Sequence, residues 1–164
     1  MFRLAILLGF IFAIVSAFAE TLQGRVVSVA DGDTITVLDS GRHTYRIRLG
    51  GIDAPEKRQA YGQVSKDHLA QAVFNKSVTI EFDKHDRYGR IVGKVLLGNR
   101  DICLEQIQAG LAWHYKRYEN EQTQEDRGRY AFAEQEARAK GVGLWRDANA
   151  IPPWAWRHLG DRRR

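Results

Sequence analysis

The chain contains one cysteine among 164 residues, which excludes an intramolecular disulfide and any site built from several thiolates. Its five histidines, at positions 43, 68, 85, 114 and 158, include no His-x-x-x-His pair, so no zinc constellation is present either. Phosphate-loop and dinucleotide-binding glycine patterns are missing, as are internal repeats and low-complexity tracts. Long apolar runs are confined to the N-terminus. There Arg3 precedes an uncharged stretch over residues 4–18, and Ala17-Phe18-Ala19 has the small-x-small pattern of a signal-peptidase site. The sixteen residues 4–19 fall short of the roughly 20 that a spanning helix needs, so the expectation is a cleaved export signal over residues 1–19.

A strong excess of one charge is also absent. There are 25 Lys and Arg against 20 Asp and Glu, and loss of Arg3 with the signal leaves 24 against 20, or +4. Placement says more than size. Basic residues gather at Lys57-Arg58, between Lys84 and Arg90, at Lys116-Arg117, at Arg127 and Arg129, and at Arg162-Arg163-Arg164, and a polyanion would meet several of them at once. Residues 20–164 read as one domain, long enough to bury roughly two-thirds of its unfolded surface without staples. Cys103, in Asp101-Ile102-Cys103-Leu104, accordingly reads as a small core residue and not a catalytic thiol.

What is present begins with period-two alternation. Val26, Val27 and Val29 open a strand. Ile35 and Val37 then alternate with Thr34 and Thr36, and Tyr45, Ile47 and Leu49 with Arg46 and Arg48. Ser40-Gly41-Arg42 is a turn signal between them, so these two segments form a hairpin in which facing positions sum to about 82. Thr34 then faces Arg48 and Ile35 faces Ile47, leaving Asp33 and Arg48 at the same end. Gly50-Gly51 permits a sharp bend there, which would return Asp53 over that end.

Beyond the hairpin, the spacing predicts a helix over 63–75 with Leu69, Ala72 and Val73 buried, a strand over 77–82, and another strand through Ile91, Val92, Val95 and Leu97. The period then becomes helical. Leu104, Ile107 and Leu111 mark one helix, and Tyr130, Ala133 and Ala137 mark another that ends at Lys140-Gly141. Strands followed by helices give an α+β plan, a small five-stranded barrel with about three α-helices. The domain core covers about 22–145. The stretch 146–158, with Trp154 and Trp156 beside Pro152-Pro153, reads as an ordered extension, and 159–164 as a basic tail.

The hairpin and its exit carry Asp31, Asp33, Arg48, Asp53 and Glu56. Hard oxygen ligands for a divalent cation, a spare carboxylate for water and a guanidinium for phosphate are what metal-assisted attack on a phosphodiester needs. Carboxylates without thiolates or imidazoles point to Ca²⁺ or Mg²⁺. An EF-hand is excluded, because Asp31-Gly32-Asp33 is followed by Ile35 and Thr36 where that loop needs an acid or amide and a glycine. His114-Tyr115-Lys116 with Glu121 is a single, imperfect copy of a phospholipase-D-type motif, and reads more simply as a basic aromatic surface.

Asp31-Gly32-Asp33-Thr34, then Arg48-Leu49-Gly50-Gly51-Ile52-Asp53-Ala54-Pro55-Glu56, then Asp86-Arg87-Tyr88-Gly89-Arg90 stand in the order and approximate spacing of the staphylococcal-nuclease (thermonuclease) family. The chain resembles that family from about residue 22 to 145. The resemblance implies an OB-fold barrel and a Ca²⁺-dependent phosphodiesterase that cuts DNA and RNA with little sequence specificity, leaving 3′-phosphate ends. By the same resemblance Asp33 and Asp53 are the carboxylate ligands of Ca²⁺ and the Ala54 carbonyl is a further ligand. The threonine that the family's best-known member has at this place should not matter to a backbone ligand. Glu56 resembles the residue that orients or deprotonates the attacking water, Arg48 and Arg90 the pair that grips the phosphate, and Asp31 an outer partner of the metal waters. Tyr88 is similar to a tyrosine of the nucleotide pocket, Lys57 belongs to the substrate-facing charge, and either Tyr115 or Tyr118 supplies a stacking ring.

Two other classes remain open at this point: a non-catalytic OB-fold nucleic-acid-binding module, and a phosphodiesterase acting on a phospholipid or cyclic nucleotide. The nuclease is the expectation, as a monomer without stable membrane association, secreted or periplasmic.

Overall fold

The structure is a computed structural model that describes residues 20–161. The expected signal segment lies outside the described residues, and no described helix is long and apolar enough to cross a membrane. The first strand, β1 (Glu20–Val29), pairs antiparallel with β2 (Thr34–Leu38) on one side and with β5 (Ser77–His85) on the other. β2 continues into β3 (Thr44–Leu49) with Thr34 opposite Arg48 and Ile35 opposite Ile47, the register that alternation requires. β5 pairs with β6 (Ile91–Leu97), and β6 meets β3 in parallel, with Ile47 beside Ile91 and Leu49 beside Gly93. That contact closes five strands into a barrel, so the α+β OB-fold is confirmed.

Closure sends one residue in two to the inside. Val26, Ile35, Val37, Ile47, Leu49, Ile80 and Val95 are all buried there. The bottom is sealed by α1 (Gly62–Val73) through Leu69 and Val73, with Ala72 half-buried at its edge, and by α2 (Ile102–Gln108) through Ile102 and Ile107. Cys103 is buried, and burial pushes its thiol up to about 12, which keeps it an inert core residue. α2 begins on Asp101, whose side chain accepts the Leu104 amide at 3.0 Å, just after a short strand β7 (Arg100–Asp101). The helix stops sooner than its apolar spacing suggests. Gly110 adopts φ +65, and the Leu111 amide turns back to the Gln106 carbonyl at 2.9 Å, so Leu111 packs as the residue after a Schellman turn. The next helix, α3 (Gln124–Ala139), presents Tyr130, Ala133 and Ala137 to the core and ends on Gly141 in the same way.

Two small features position the site. After β3 the chain bends at Gly50-Gly51 and forms β4 (Ile52–Asp53), which pairs with β8 (Trp113–His114). Gly51 sits at φ +72, and a Cβ there would collide with the Gln122 side chain. Gly51→Ala is therefore expected to lower stability by at least about 1–2 kcal/mol, measurable by urea denaturation. The second feature is the β1–β2 turn. Gln106, buried on α2, donates from Nε2 to the Gly32 carbonyl at 2.7 Å, and the Asp31 carboxylate caps the Asp33 amide at 3.1 Å.

The segment expected as an extension leads into a helix, α4 (Pro153–Asp161), which runs on through the first positions of the segment expected as a tail. Pro153 occupies its first turn, where no amide is needed. Trp154 fastens it by stacking on Tyr115 at 5.5 Å between ring centroids and meeting Trp113 edge-on at the same separation.

Candidate active site

The hairpin end, the Gly-Gly bend and β4 place two carboxylates around one guanidinium. Arg48 Nη1 contacts Asp33 Oδ1, and Arg48 Nη2 donates to Asp53 Oδ1 at 2.8 Å and to the Ile52 carbonyl at 3.2 Å. Thr34 donates its hydroxyl to Asp33 Oδ1 at 3.1 Å, and the Ala54 amide donates to Asp33 Oδ2 at 2.8 Å. Asp33 and Asp53 are 5% and 1% exposed, so this pair of acids is dry except toward the groove they border. Residues twenty apart in sequence thus share one pocket, as the bend after β3 demanded.

That groove encloses about 800 Å³. Asp31, Glu56, Arg90, Tyr88, Tyr115 and Tyr118 all border it, together with Lys84, Arg87 and Arg117. Arg90 is held by Asp86, whose Oδ2 accepts its Nε at 2.7 Å and whose Oδ1 accepts its amide at 3.0 Å. Of the two tyrosines offered for stacking, Tyr115 has one face covered by Trp154, whereas Tyr118 is 44% exposed with the Lys84 ammonium 5.3 Å from its centroid. Tyr88 is exposed and touched by Arg87. Lys57 is exposed and does not border the groove. His114 is not a surface residue. It is buried and its Nε2 is 2.8 Å from Gln122 Oε1, while Lys116 pairs with Glu134 at 2.6 Å and Glu121 with Lys84. No phospholipase-type grouping forms.

One site residue escaped the sequence. Arg157, on α4, donates from Nη2 to Asp53 Oδ2 at 2.8 Å and from Nη1 to Glu56 Oε1 at 2.7 Å, with a longer contact to Asp53 Oδ1 at 3.3 Å. The aromatic tail announced an ordered segment, but nothing local indicated which side chain it would deliver.

The electrostatics are uneven. Burial alone would raise Asp33, but the Arg48 guanidinium and the Ala54 amide outweigh it and hold its carboxyl below the usual range. Asp53 is displaced upward, because its burial and the neighbouring Asp33 charge exceed what Arg157 and Arg48 return. Burial and the Asp33 charge push Asp31 up to about 6. Two guanidinia therefore leave this cluster of acids short of positive charge, and oxygen-only donors suit a hard cation. The described residues contain no group of three or more His, Cys, Asp or Glu that could hold a metal, so such an ion would rest on the two buried carboxylates, backbone oxygen and water.

These shifts set a pH dependence for the metal-free protein. Asp33, depressed, adds stability above its unfolded value near 4 that is lost as acid protonates it. Asp31 has the opposite sign: the folded chain binds its proton more tightly, so its contribution falls as pH rises from about 4 to about 6. Asp31→Asn is expected to abolish that decline. Calorimetric melting in chelator across this window, wild type minus variant, measures it.

Known proteins resemble this chain over most of its length. The family model described as staphylococcal nuclease homologue matches residues 46–147. A protein of Escherichia coli described as an uncharacterized endonuclease is 44% identical over 84% of this chain and 86% of its own length. One from Haemophilus influenzae with the same description is 42% identical over 90% and 80%. A protein of Shigella flexneri named micrococcal nuclease is 41% identical over 87% and 84%. With its barrel closed and its acids gathered on one arginine, the chain belongs to the staphylococcal nuclease family.

Proposed function

We propose that this protein is an exported Ca²⁺-dependent nuclease that hydrolyses DNA and RNA with little sequence preference, by in-line attack of water, leaving 3′-phosphate ends. The observation that carries the reading is the convergence of buried Asp33 and Asp53 on Arg48, with Glu56 and Arg90 bordering the same groove. Asp33 and Asp53, with the Ala54 carbonyl, would hold the cation, which supplies charge for the phosphate and a polarised water.

The chain's own residues do the rest. Arg48 has five N–H donors, and its contacts to Asp33, Asp53 and the Ile52 carbonyl use three. Nε and one Nη1 hydrogen remain for a phosphate oxygen, so the guanidinium is preorganised by the carboxylates it bridges. Arg90, braced by Asp86, supplies a second fork. Glu56 accepts from Arg157 through Oε1 only, which leaves Oε2 to take a proton from water. Lys84, Arg87 and Arg117 border the path of a polyanion, and Tyr118 offers a partly uncovered ring for a base. A two-carboxylate site belongs near the weak end of calcium affinities, with Kd of roughly 10⁻⁴ to 10⁻³ M, which suits an extracellular or periplasmic setting.

Linear DNA incubated with the protein in millimolar CaCl₂, and again with EGTA in excess, tests the activity. Cleavage that stops on chelation and leaves phosphatase-sensitive 3′ ends supports it. Unaltered cleavage in EGTA removes the metal reading, and no cleavage in CaCl₂ removes the nuclease. A zymogram of periplasmic extract and culture supernatant tests export.

A further inference from the structure

We propose that the Arg157 guanidinium and the divalent cation compete for Asp53, so that the C-terminal helix sets how much cation the site requires. This rests on the calcium reading above. A carboxylate offers about four lone-pair positions. Asp53 has three occupied, by Arg48 Nη2 on Oδ1 at 2.8 Å and by Arg157 on Oδ1 at 3.3 Å and Oδ2 at 2.8 Å. Asp33 likewise has three occupied, by Arg48, Thr34 and the Ala54 amide. One position is left on each acid, so an ion of six to eight ligands can touch each only singly, and gains a second position on Asp53 when Arg157 withdraws. Arg48 is the fixed member, buried between them with 16% of its side chain exposed; Arg157, 43% exposed, has water to move into.

Charge argues the same way. A doubly charged ion on Asp53 would lie beside the Arg157 guanidinium and repel it, whereas the acids alone attract both. The contact is also prepared, not incidental. Trp154 stacks on Tyr115, and one helical turn later the helix presents Arg157. Gln59 ties the entry of that helix to the acidic loop, accepting the Glu56 amide at 3.1 Å and donating to the Ile151 carbonyl at 2.5 Å. With the helix anchored, only the flexible side chain has to swing. The helix follows the last strand of the barrel and is not one of its staves, so the competitor is attached to the barrel and is not part of it.

Calorimetric titration of CaCl₂ into the full chain, at fixed ionic strength and pH 7.5, tests this on wild type, Arg157→Gln and Arg157→Lys. Removing a competitor raises the fraction of binding-competent protein, and a competent state populated near one-tenth gives Arg157→Gln about tenfold tighter binding. Arg157→Lys should fall between, since one ammonium cannot span Asp53 and Glu56 as the guanidinium does. In EGTA, Arg157→Gln should melt lower than wild type, and CaCl₂ should raise its melting temperature by the larger increment. Equal or weaker calcium binding by Arg157→Gln overturns the proposal while leaving the metal site standing. Absence of calcium binding in all three proteins removes the metal site and the proposal together.

Discussion

Arg48→Lys is expected to lower kcat by on the order of 10² to 10³ while DNA binding changes little, because one side chain here performs two tasks that an ammonium cannot combine. The guanidinium bridges Asp33 and Asp53 through separate nitrogens and still has donors for phosphate. A lysine reaches one carboxylate at a time. The other is then left buried with a partner missing, which costs about 1–3 kcal/mol and loosens the pair that must act as a unit. Stability measured beside kinetics separates the contributions. If Arg48→Lys folds, binds oligonucleotide in EGTA as wild type does and keeps its turnover, the bidentate role is wrong. If the loss lies entirely in KM, the arginine binds substrate without favouring the transition state. The background cations at Lys84, Arg87 and Arg117 remain in every case, which is why affinity is the less sensitive measure.

How much of this site could be read in the sequence follows from what each residue depends on. The pairing of Thr34 with Arg48 was legible because it needs only alternation and a turn at Gly41. The return of Asp53 was legible because Gly51 can adopt φ +72 and few other residues can. Where packing decides, local pattern fell silent. The spacing of Leu111 from Ile107 fits a helix, and only the conformation of Gly110 shows that the helix has already ended. His114 looked like part of a basic surface because it sits between Trp113 and Lys116, yet it lies on β8 facing inward, where its burial depends on pairing with Ile52 sixty residues earlier. Arg157 is the clearest case. Its destination is fixed by Trp154 meeting Tyr115 and Trp113, a contact between segments about forty residues apart, and no window along the chain contains that information. The parts of the site carried by one hairpin were readable, and the part delivered by a docked helix was not.

Glu56→Gln is expected to lower kcat by on the order of 10² or more with binding retained, the signature of a lost general base. The carboxylate follows β4 by three residues, beyond Pro55, and is joined through its backbone amide to Gln59 at 3.1 Å, so a glutamine of the same shape can occupy its place without disturbing the loop. What changes is narrow. The amide can still accept from Arg157 through its oxygen, but its other terminus becomes a donor that repels a water hydrogen instead of taking a proton. Because Glu56 is 40% exposed at its side chain and meets the buried Asp53 only through the exposed Arg157, the substitution should leave the melting temperature within a few degrees. A change in binding as large as the change in rate would recast Glu56 as a substrate or metal contact. A rate that survives unchanged would transfer the proton to another acid, and among those bordering the groove Asp31, raised to about 6, is the group to replace next.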